Sequence, residues 1–63
     1  MTTRDIRTGK EYEVLSAIEE APDGHYIADG KGKDGKLYLL EWWIPYVGGG
    51  DAWEVCDKAR LID

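Results

Sequence analysis

Cysteine and long apolar runs are nearly absent from this chain, and each absence excludes a class of protein. Cys56 is the single cysteine among 63 residues, which excludes an intrachain disulfide and a Cys-x-x-Cys redox or metal site. Small secreted domains usually depend on disulfides, so we expect an intracellular protein, cytoplasmic or nuclear. No apolar stretch approaches the ~20 residues of a membrane-spanning helix. The N-terminal stretch M-T-T-R-D-I-R-T-G-K lacks the apolar core of a signal peptide.

Phenylalanine is missing altogether, and its absence determines what the core is made of. A chain of 63 residues forms one domain and buries only roughly 60% of the surface that its unfolded form exposes. Three Trp and four Tyr must therefore supply most of the bulk of a small core, together with Leu, Ile and Val. With 43% hydrophobic and 33% charged residues, the composition is that of a folded domain rather than a disordered segment.

Basic residues are the scarcer of the two charge classes. Eight Lys and Arg stand against 13 Asp and Glu, which gives a formal net charge of −5. A nucleic-acid-binding protein normally has a basic face that neutralises phosphates, whereas here Lys31, Lys33 and Lys36 form only one small basic loop. The charge balance disfavours nucleic acid and favours a cationic protein or peptide as the partner, although it also serves solubility.

Glycine is abundant, and it divides the chain into segments of strand length. Three glycines directly follow Asp, at 23–24, 29–30 and 34–35, and Asp-Gly supplies the positive φ angles of tight hairpin turns. Short strands separated by such turns predict an all-β domain, built as a small antiparallel sheet or barrel. The predicted strands cover residues 26–28, 37–44, 52–56 and 61–62.

The segment from Tyr12 to Ile18 fits two structures. Its alternation of apolar and polar side chains suits a half-buried strand, whereas the spacing of Val14 and Ile18 suits one side of a helix. Residues 1–9 predict a flexible N-terminal arm, followed by a single small β-domain over residues 10–63.

One glycine-rich segment imitates ligand-binding loops without completing them. Residues 30–36 fit the G-x-x-x-x-G-K pattern of a phosphate-binding loop, but Leu37 follows where Ser or Thr should bind magnesium. A strand, rather than the required helix, comes next. A calcium loop counted from Asp29 would place Lys31 and Lys33 at ligand positions, where they would repel the cation.

Catalytic and metal-binding residue types are not gathered in the sequence. Asp23, His25 and Asp29 lie close enough to surround a metal ion, but a lone histidine in a loop is more often solvated. Cys56 and His25 lack any motif of a nucleophilic pair, and Cys56 fits better as a small apolar residue. We therefore expect no enzymatic activity, no metal and no cofactor.

Aromatic residues concentrate in one stretch, from Lys36 to Glu54. This stretch, K-L-Y-L-L-E-W-W-I-P-Y-V-G-G-G-D-A-W-E, holds all three Trp and two of the four Tyr. Aromatic side chains beside an acidic surface suit holding a partner better than transforming one. The sequence therefore predicts a non-enzymatic binding module.

Three short segments share a pattern with a known family. E-Y-E-V-L-S-A-I at 11–18, L-Y-L-L-E-W at 37–42 and W-E at 53–54 resemble the E-Y-x-V-x-x-I, E-Y-L-V-K-W and T-W-E-P motifs of chromodomains. The resemblance favours a strand at 11–18, makes Trp53 a core residue, and implies a curled antiparallel sheet related to five-stranded Src-homology-3-like (SH3-like) barrels. Because the sequence ends at Asp63, we expect closure by extra strands instead of the C-terminal helix of that family.

The resemblance also implies a mode of binding. Many chromodomains hold a methylated lysine in an aromatic cage, while the target peptide adds to the sheet as a strand. Carried over by position, the cage would consist of Tyr12, Trp42 and Tyr46. A trimethylammonium group is positive and weakly hydrated, so aromatic faces attract it, and Asp51 or Glu54 would add favourable charge.

Strand alternation gives Trp42 a second interpretation. One face of the segment 37–44 is wholly apolar and contains Trp42, which predicts that this residue belongs to the core. Trp43 then points outward beside Glu41. Because Trp is enriched among interface anchors, Trp43 is a further candidate for contact with a partner, including a second copy of the chain.

Two functions remain open from the sequence. The first is a module that recognises a protein or peptide segment, methylated or lysine-rich, and an open groove lined by Tyr12, Trp42 and Tyr46 would favour it. The second is a small acidic regulator or inhibitor of phage or plasmid type that blocks a basic surface of its partner. Clustering of carboxylates on one face would favour the second.

Overall fold

Backbone hydrogen bonding organises the chain into short β-strands. The computed structural model describes residues 1–43 and 53–62, and no helix occurs within these ranges. The strands are β1 (Thr2–Asp5), β2 (Glu11–Val14), β3 (Glu19–Glu20), β4 (Tyr26–Gly32), β5 (Leu37–Trp42), β6 (Val55–Cys56) and β7 (Lys58–Leu61).

The strands form a single sheet that nearly closes into a barrel. Their order is β6-β1-β2-β4-β5-β7, with β3 paired to the first residues of β4. β6 and β7 are two halves of one strand that is broken only at Asp57. They lie at the two opposite edges of the sheet, where β6 pairs with β1 and β7 pairs with β5. β2 and β3 likewise both pair with β4. Counted with β2 and β3 as one stretch and β6 and β7 as another, five stretches of the described residues build the sheet. This confirms the predicted small all-β barrel and is compatible with an SH3-like barrel. The β1–β6 pairing is parallel, unlike the others.

Inward-facing residues of the strands meet in a small core. β5 alternates as predicted, with Leu40 and Trp42 at 0% and 1% exposure. Ala28 lies opposite Leu40 in β4 and is also buried. Trp53 lies in the turn before β6 and is partly buried against these residues, rather than beginning the strand as a fully buried core residue. The buried apolar residues are Tyr12, Ala28, Leu40, Trp42 and Cys56, with Val14, Ile18, Tyr26, Tyr38, Trp53 and Ala59 packed around them.

Two of the three Asp-Gly steps make the predicted turns. Gly24 and Gly35 have φ angles of 96° and 80°, in the left-handed region that favours glycine. The third step is not a turn, because Gly30 lies within β4. A Cβ built there would lie 2.5 Å from Leu40 Cδ1, so this glycine makes room for a core side chain.

The N-terminus differs from the predicted arm. Thr2–Asp5 forms β1, which pairs with β2 on one side and β6 on the other, and Thr3 and Asp5 are buried. The sequence does not reveal this strand, because its inward-facing residues are polar. The Asp5 carboxylate is instead satisfied by hydrogen bonds from the backbone N–H of Arg7 at 2.7 Å and of Ala59 at 3.2 Å.

Several predicted boundaries move. The segment from Tyr12 to Ile18 contains the end of strand β2 and no helix, so the helical alternative is wrong. β4 continues to Gly32, past the predicted turn, because it pairs with both β2 and β5. The last strand begins at Lys58 instead of residue 61, and the described part of the predicted strand 52–56 is β6.

Candidate binding surface

Among the described residues, Trp43 is the predicted aromatic contact residue that remains accessible. It directly follows β5, and its side chain is 50% exposed, which confirms the outward orientation expected from alternation. Its backbone N–H donates a hydrogen bond to Asp57 Oδ2 at 2.8 Å. Asp57 breaks the last strand between β6 and β7, so the same residue that joins the two ends of the sheet also fixes the backbone of Trp43.

His25 supports the Trp43 indole. The two rings are stacked, with centroids 4.2 Å apart and an interplanar angle of 14°. The His25 side chain is only 11% exposed, so the imidazole backs one side of the indole, and the remaining surface faces outward. Trp43 is therefore held in one orientation before any partner arrives, which lowers the entropic cost of binding.

Charged groups surround this aromatic pair. His25 Nδ1 contacts Asp23, and His25 Nε2 lies 3.4 Å from Glu41 Oε1. Arg60 Nη2 lies 3.2 Å from Glu41 Oε2, which balances the charge of a carboxylate that is only 3% exposed. The Asp23 side chain, in contrast, is 59% exposed and available to a partner. We call Asp23, His25, Glu41, Trp43 and Arg60 the Trp43 surface.

Sequence reasoning missed this role of His25. It grouped His25 with Asp23 and Asp29, whereas the structure places Asp29 opposite Leu39 in the sheet. In the described ranges, no group of three His, Cys, Asp or Glu side chains is placed to hold a metal ion. The signal that could have found the stack is the β4–β5 register, since Tyr26 pairs with Trp42 and the next step outward sets His25 opposite Trp43.

Two of the three predicted cage residues, Tyr12 and Trp42, are buried. Tyr12 is 6% exposed and Trp42 is 1% exposed, so both face the core and offer little surface to a ligand. Trp42 packs edge-on against Trp53, with centroids 5.8 Å apart. Tyr46 and Asp51 lie outside the described residues.

Glu54 is exposed but belongs to a different part of the molecule from Trp43. Its carbonyl accepts a hydrogen bond from the Arg4 N–H at 2.9 Å, and it lines a shallow groove beside β1. The structure therefore does not bring the predicted acidic residue Glu54 to the Trp43 surface.

A second concave region lies between the β1–β2 turn and the β4–β5 turn. This open cleft has a volume of about 350 Å³, and Tyr12 and Tyr38 form one wall with ring centroids 4.8 Å apart. Tyr38 Oη donates to Asp34 Oδ2 at 2.6 Å. That hydrogen bond raises the pKa of Tyr38 to about 12 and lowers the pKa of Asp34. These groups satisfy each other, which makes the cleft a weaker candidate than the Trp43 surface.

Cys56 is not placed as a nucleophile. The residue is 0% exposed, and burial raises the pKa of its thiol, so the unreactive protonated form dominates near neutrality. Cys56 instead fills the core beside β1, as expected for a small apolar residue.

Neither a protein-family model, nor a curated protein, nor a solved structure matches this chain. The resemblance to chromodomains accordingly rests on its short motifs alone, while the barrel-like sheet rests on the strand pairings. Among the residues that the structure describes, no helix is long and apolar enough to cross a membrane.

Proposed function

We propose that this chain is a non-enzymatic binding module that holds a cationic segment of a protein partner against the Trp43 surface. The observation that supports the proposal is an exposed indole, fixed by stacking on His25, with the exposed carboxylate of Asp23 beside the same imidazole. Trp is the aromatic side chain that attracts cations best, and a neighbouring carboxylate adds direct charge attraction.

The expected energies suit a modest, reversible interaction. A lysine or arginine placed over the indole gains about 0.5–2 kcal/mol, depending on how far it is desolvated. Asp23 supplies a further ion pair worth about 0.2–1 kcal/mol, since the pair is exposed to solvent. Because Glu41 is already balanced by Arg60, its contribution is to position His25 rather than to attract the partner.

Methylated lysine is the finer form of this proposal. Methylation weakens the hydration of the ammonium group and thereby favours aromatic contact. The burial of Tyr12 and Trp42 supports placing this contact on Trp43 and His25 rather than on the cage that the chromodomain resemblance implies. The single cysteine, buried and unpaired, supports a partner inside the cell.

An acidic inhibitor of a basic surface has less support. The carboxylates of β2 are opposed by lysines, since Glu11 lies 3.6 Å from Lys33 and Glu13 pairs in register with Lys31. These pairs interrupt the acidic surface along β2 and β4. Binding by such an inhibitor would fall steeply with salt and would not depend on Trp43.

The proposal is tested by titrating isotope-labelled protein with lysine-containing peptides, unmodified and trimethylated, while following amide and Trp indole NMR signals. We expect saturable shifts of the Trp43 indole and a preference for the trimethylated peptide. Trp43→Ala should weaken binding about tenfold, which corresponds to roughly 1.4 kcal/mol.

Ile6→Ala is the matched control, because Ile6 is 59% exposed and lies in the turn after β1. It should bind each peptide as the wild type does. Equal affinity of wild type and Trp43→Ala would contradict the proposal. Salt-sensitive binding that survives Trp43→Ala would support the acidic inhibitor in its place.

A further inference from the structure

The outer face of β4, β5 and β7 carries exposed aliphatic side chains. Leu37 and Ile62 are 48% and 53% exposed, and Leu39, between them and Glu41, is half-buried. The Ile62 N–H bonds to the Leu37 carbonyl at 3.1 Å, so these two residues are neighbours across the sheet. Large contiguous apolar patches on a protein surface mark contact sites, which makes this group of side chains a candidate for one.

An acidic and a basic residue flank Leu39 on this face. Asp29 pairs in register with Leu39 on one side, and Arg60 pairs with Leu39 on the other. Strand neighbours lie about 4.8 Å apart, so the backbones of Asp29 and Arg60 are about 10 Å apart, and the Arg60 guanidinium pairs with Glu41 instead of Asp29. In the described residues the Asp29 carboxylate has no ion-pair partner. Across the sheet, this row of neighbouring residues therefore consists of an acidic, an apolar and a basic side chain, in that order.

Such a row is complementary to itself. If a second copy packs face to face, related by a twofold axis that runs along β5, then each Leu39 meets the other Leu39. The same rotation sets Asp29 of each copy against Arg60 of the other. A twofold axis across the strands would instead bring Asp29 against Asp29 and Arg60 against Arg60, which is repulsive. Glu41 also faces Glu41 of the other copy in the first arrangement, but it is 3% exposed and paired to Arg60. The exposed charge of Asp29, which has no ion-pair partner among the described residues, thus selects the axis along β5.

We propose that this outer face forms a twofold-symmetric homodimer in which β5 packs on β5 of a second copy, with Leu39 at the axis and Asp29 paired to Arg60 of the other copy. An isologous interface of this kind is the commonest way in which identical chains associate. Arg60 can serve both partners, because a guanidinium has five N–H donors and its pair with Glu41 uses one nitrogen.

The dimer goes beyond the proposed function, and it adjoins the Trp43 surface because Arg60 belongs to both. Trp43 lies four residues along the chain from Leu39, about 13 Å away in an extended strand. A standard interface takes about 800 Å² from each partner, which is roughly a fifth of the 4329 Å² that this chain exposes. We therefore expect reversible association that increases with protein concentration.

Sedimentation equilibrium over a wide concentration range tests the proposal. The wild type should shift from monomer to dimer, and Asp29→Lys should weaken dimerisation about tenfold or more, because it sets a lysine against Arg60 of the other copy. Glu20→Lys makes the same change of charge on β3, outside this face, and should leave the association unchanged. Leu39→Glu should abolish the dimer, since it brings two carboxylates together at the axis.

Cross-linking supplies a second measurement that identifies the face. Cys56 is fully buried, so the wild type should react little with a short bis-maleimide. Leu39→Cys should give a covalent dimer, whereas Leu61→Cys, 45% exposed but opposite the inward-facing Tyr38, should not. A wild type that stays monomeric at every concentration, or equal cross-linking of the two variants, would overturn the proposal. Circular dichroism confirms that each variant is folded.

Discussion

The ionisation of Tyr38 depends on one neighbouring carboxylate. Tyr38 Oη donates a hydrogen bond to Asp34 Oδ2 at 2.6 Å. Loss of the phenol proton would remove this bond and leave two negative charges in contact, so the pKa of Tyr38 rises to about 12. We expect Asp34→Asn to lower the pKa of Tyr38 toward its ordinary value near 10. A pH titration that follows the Tyr38 Cζ signal in ¹³C-tyrosine-labelled protein measures the change.

Asparagine is the suitable replacement, because it keeps an Oδ1 acceptor for the Lys36 N–H, which now lies 2.9 Å from Asp34 Oδ1. The turn should therefore survive. Asp29→Asn is the matched control, since Asp29 makes no contact with Tyr38 in the described residues. A Tyr38 pKa that is the same in wild type and Asp34→Asn would show that the hydrogen bond does not control the ionisation.

Sequence reasoning could reach only part of this arrangement. The Asp34-Gly35 step predicts the turn, and the structure confirms it. The bond to Tyr38 follows from the hairpin register and from Gly32, where a Cβ would lie 2.7 Å from Asp34 Oδ1 and 2.9 Å from Tyr38 Cε1. Such close approaches arise from the pairing of two strands, so they cannot be predicted from a local sequence pattern.

Among the described strands, β4 is the one that pairs with three others, and Gly30 lies at a crowded point of it. A Cβ there would lie 2.5 Å from Leu40 Cδ1, 2.8 Å from Leu40 Cγ and 3.2 Å from the Glu13 carbonyl oxygen. We expect Gly30→Ala to lower the free energy of unfolding by about 1–3 kcal/mol, because the added methyl overpacks the core. Urea denaturation followed by Trp fluorescence measures the change.

Lys31→Ala is the control for β4, because Lys31 is exposed and its replacement should change the stability by less than about 0.5 kcal/mol. If overpacking is the cause, Leu40→Val should relieve part of it, since valine lacks the δ-carbons that meet the new methyl. The double variant should then be less destabilised than the sum of the two single variants. Strict additivity would point to a different cause.

The success of alternation in β5 and its failure at Glu41 have the same physical origin. Alternation assigns a residue to a face, and it placed Trp42 inward and Trp43 outward correctly. It also placed Glu41 on the outer face. The side chain does point to that face, yet it is only 3% exposed. His25 and Arg60 cover the Glu41 side chain, and both come from other parts of the chain. The alternation of side chains along a strand therefore cannot predict this burial.

Over the whole molecule, closure of the sheet depends on polar groups. Asp57 joins β6 to β7, and its backbone N–H bonds to the Glu41 carbonyl at 2.9 Å. Asp5, at the end of β1, accepts a hydrogen bond from the Ala59 N–H in β7. The barrel class was predictable from glycine spacing and apolar strands, whereas the closing strand β1 was not. Its inward residues, Thr3 and Asp5, are types that composition assigns to the surface.

The buried carboxylate of Asp5 should give the folded protein a specific sensitivity to acid. Burial by itself raises the pKa of Asp5, but the hydrogen bonds and charge of Arg7 and the bond from Ala59 outweigh it, and the pKa falls below 3.8. The folded state therefore binds this proton less readily than the unfolded state. Its contribution to stability is present above the unfolded pKa and is lost as the pH falls through the folded one.

Asp5→Asn tests this by removing the charge while keeping one acceptor oxygen. At about pH 7 we expect a loss of roughly 1–3 kcal/mol in the free energy of unfolding, at the lower end because the Arg7 side chain is 51% exposed. Near pH 3, below the unfolded pKa, the difference between the variant and the wild type should be smaller, because the wild-type carboxylate is losing its advantage. Urea denaturation at both pH values measures the difference, and Glu19→Gln on exposed β3 is the control. If the stability difference between Asp5→Asn and wild type does not change with pH, the charge of Asp5 is not responsible for it. The packing and hydrogen-bond geometry of the side chain would then be the cause.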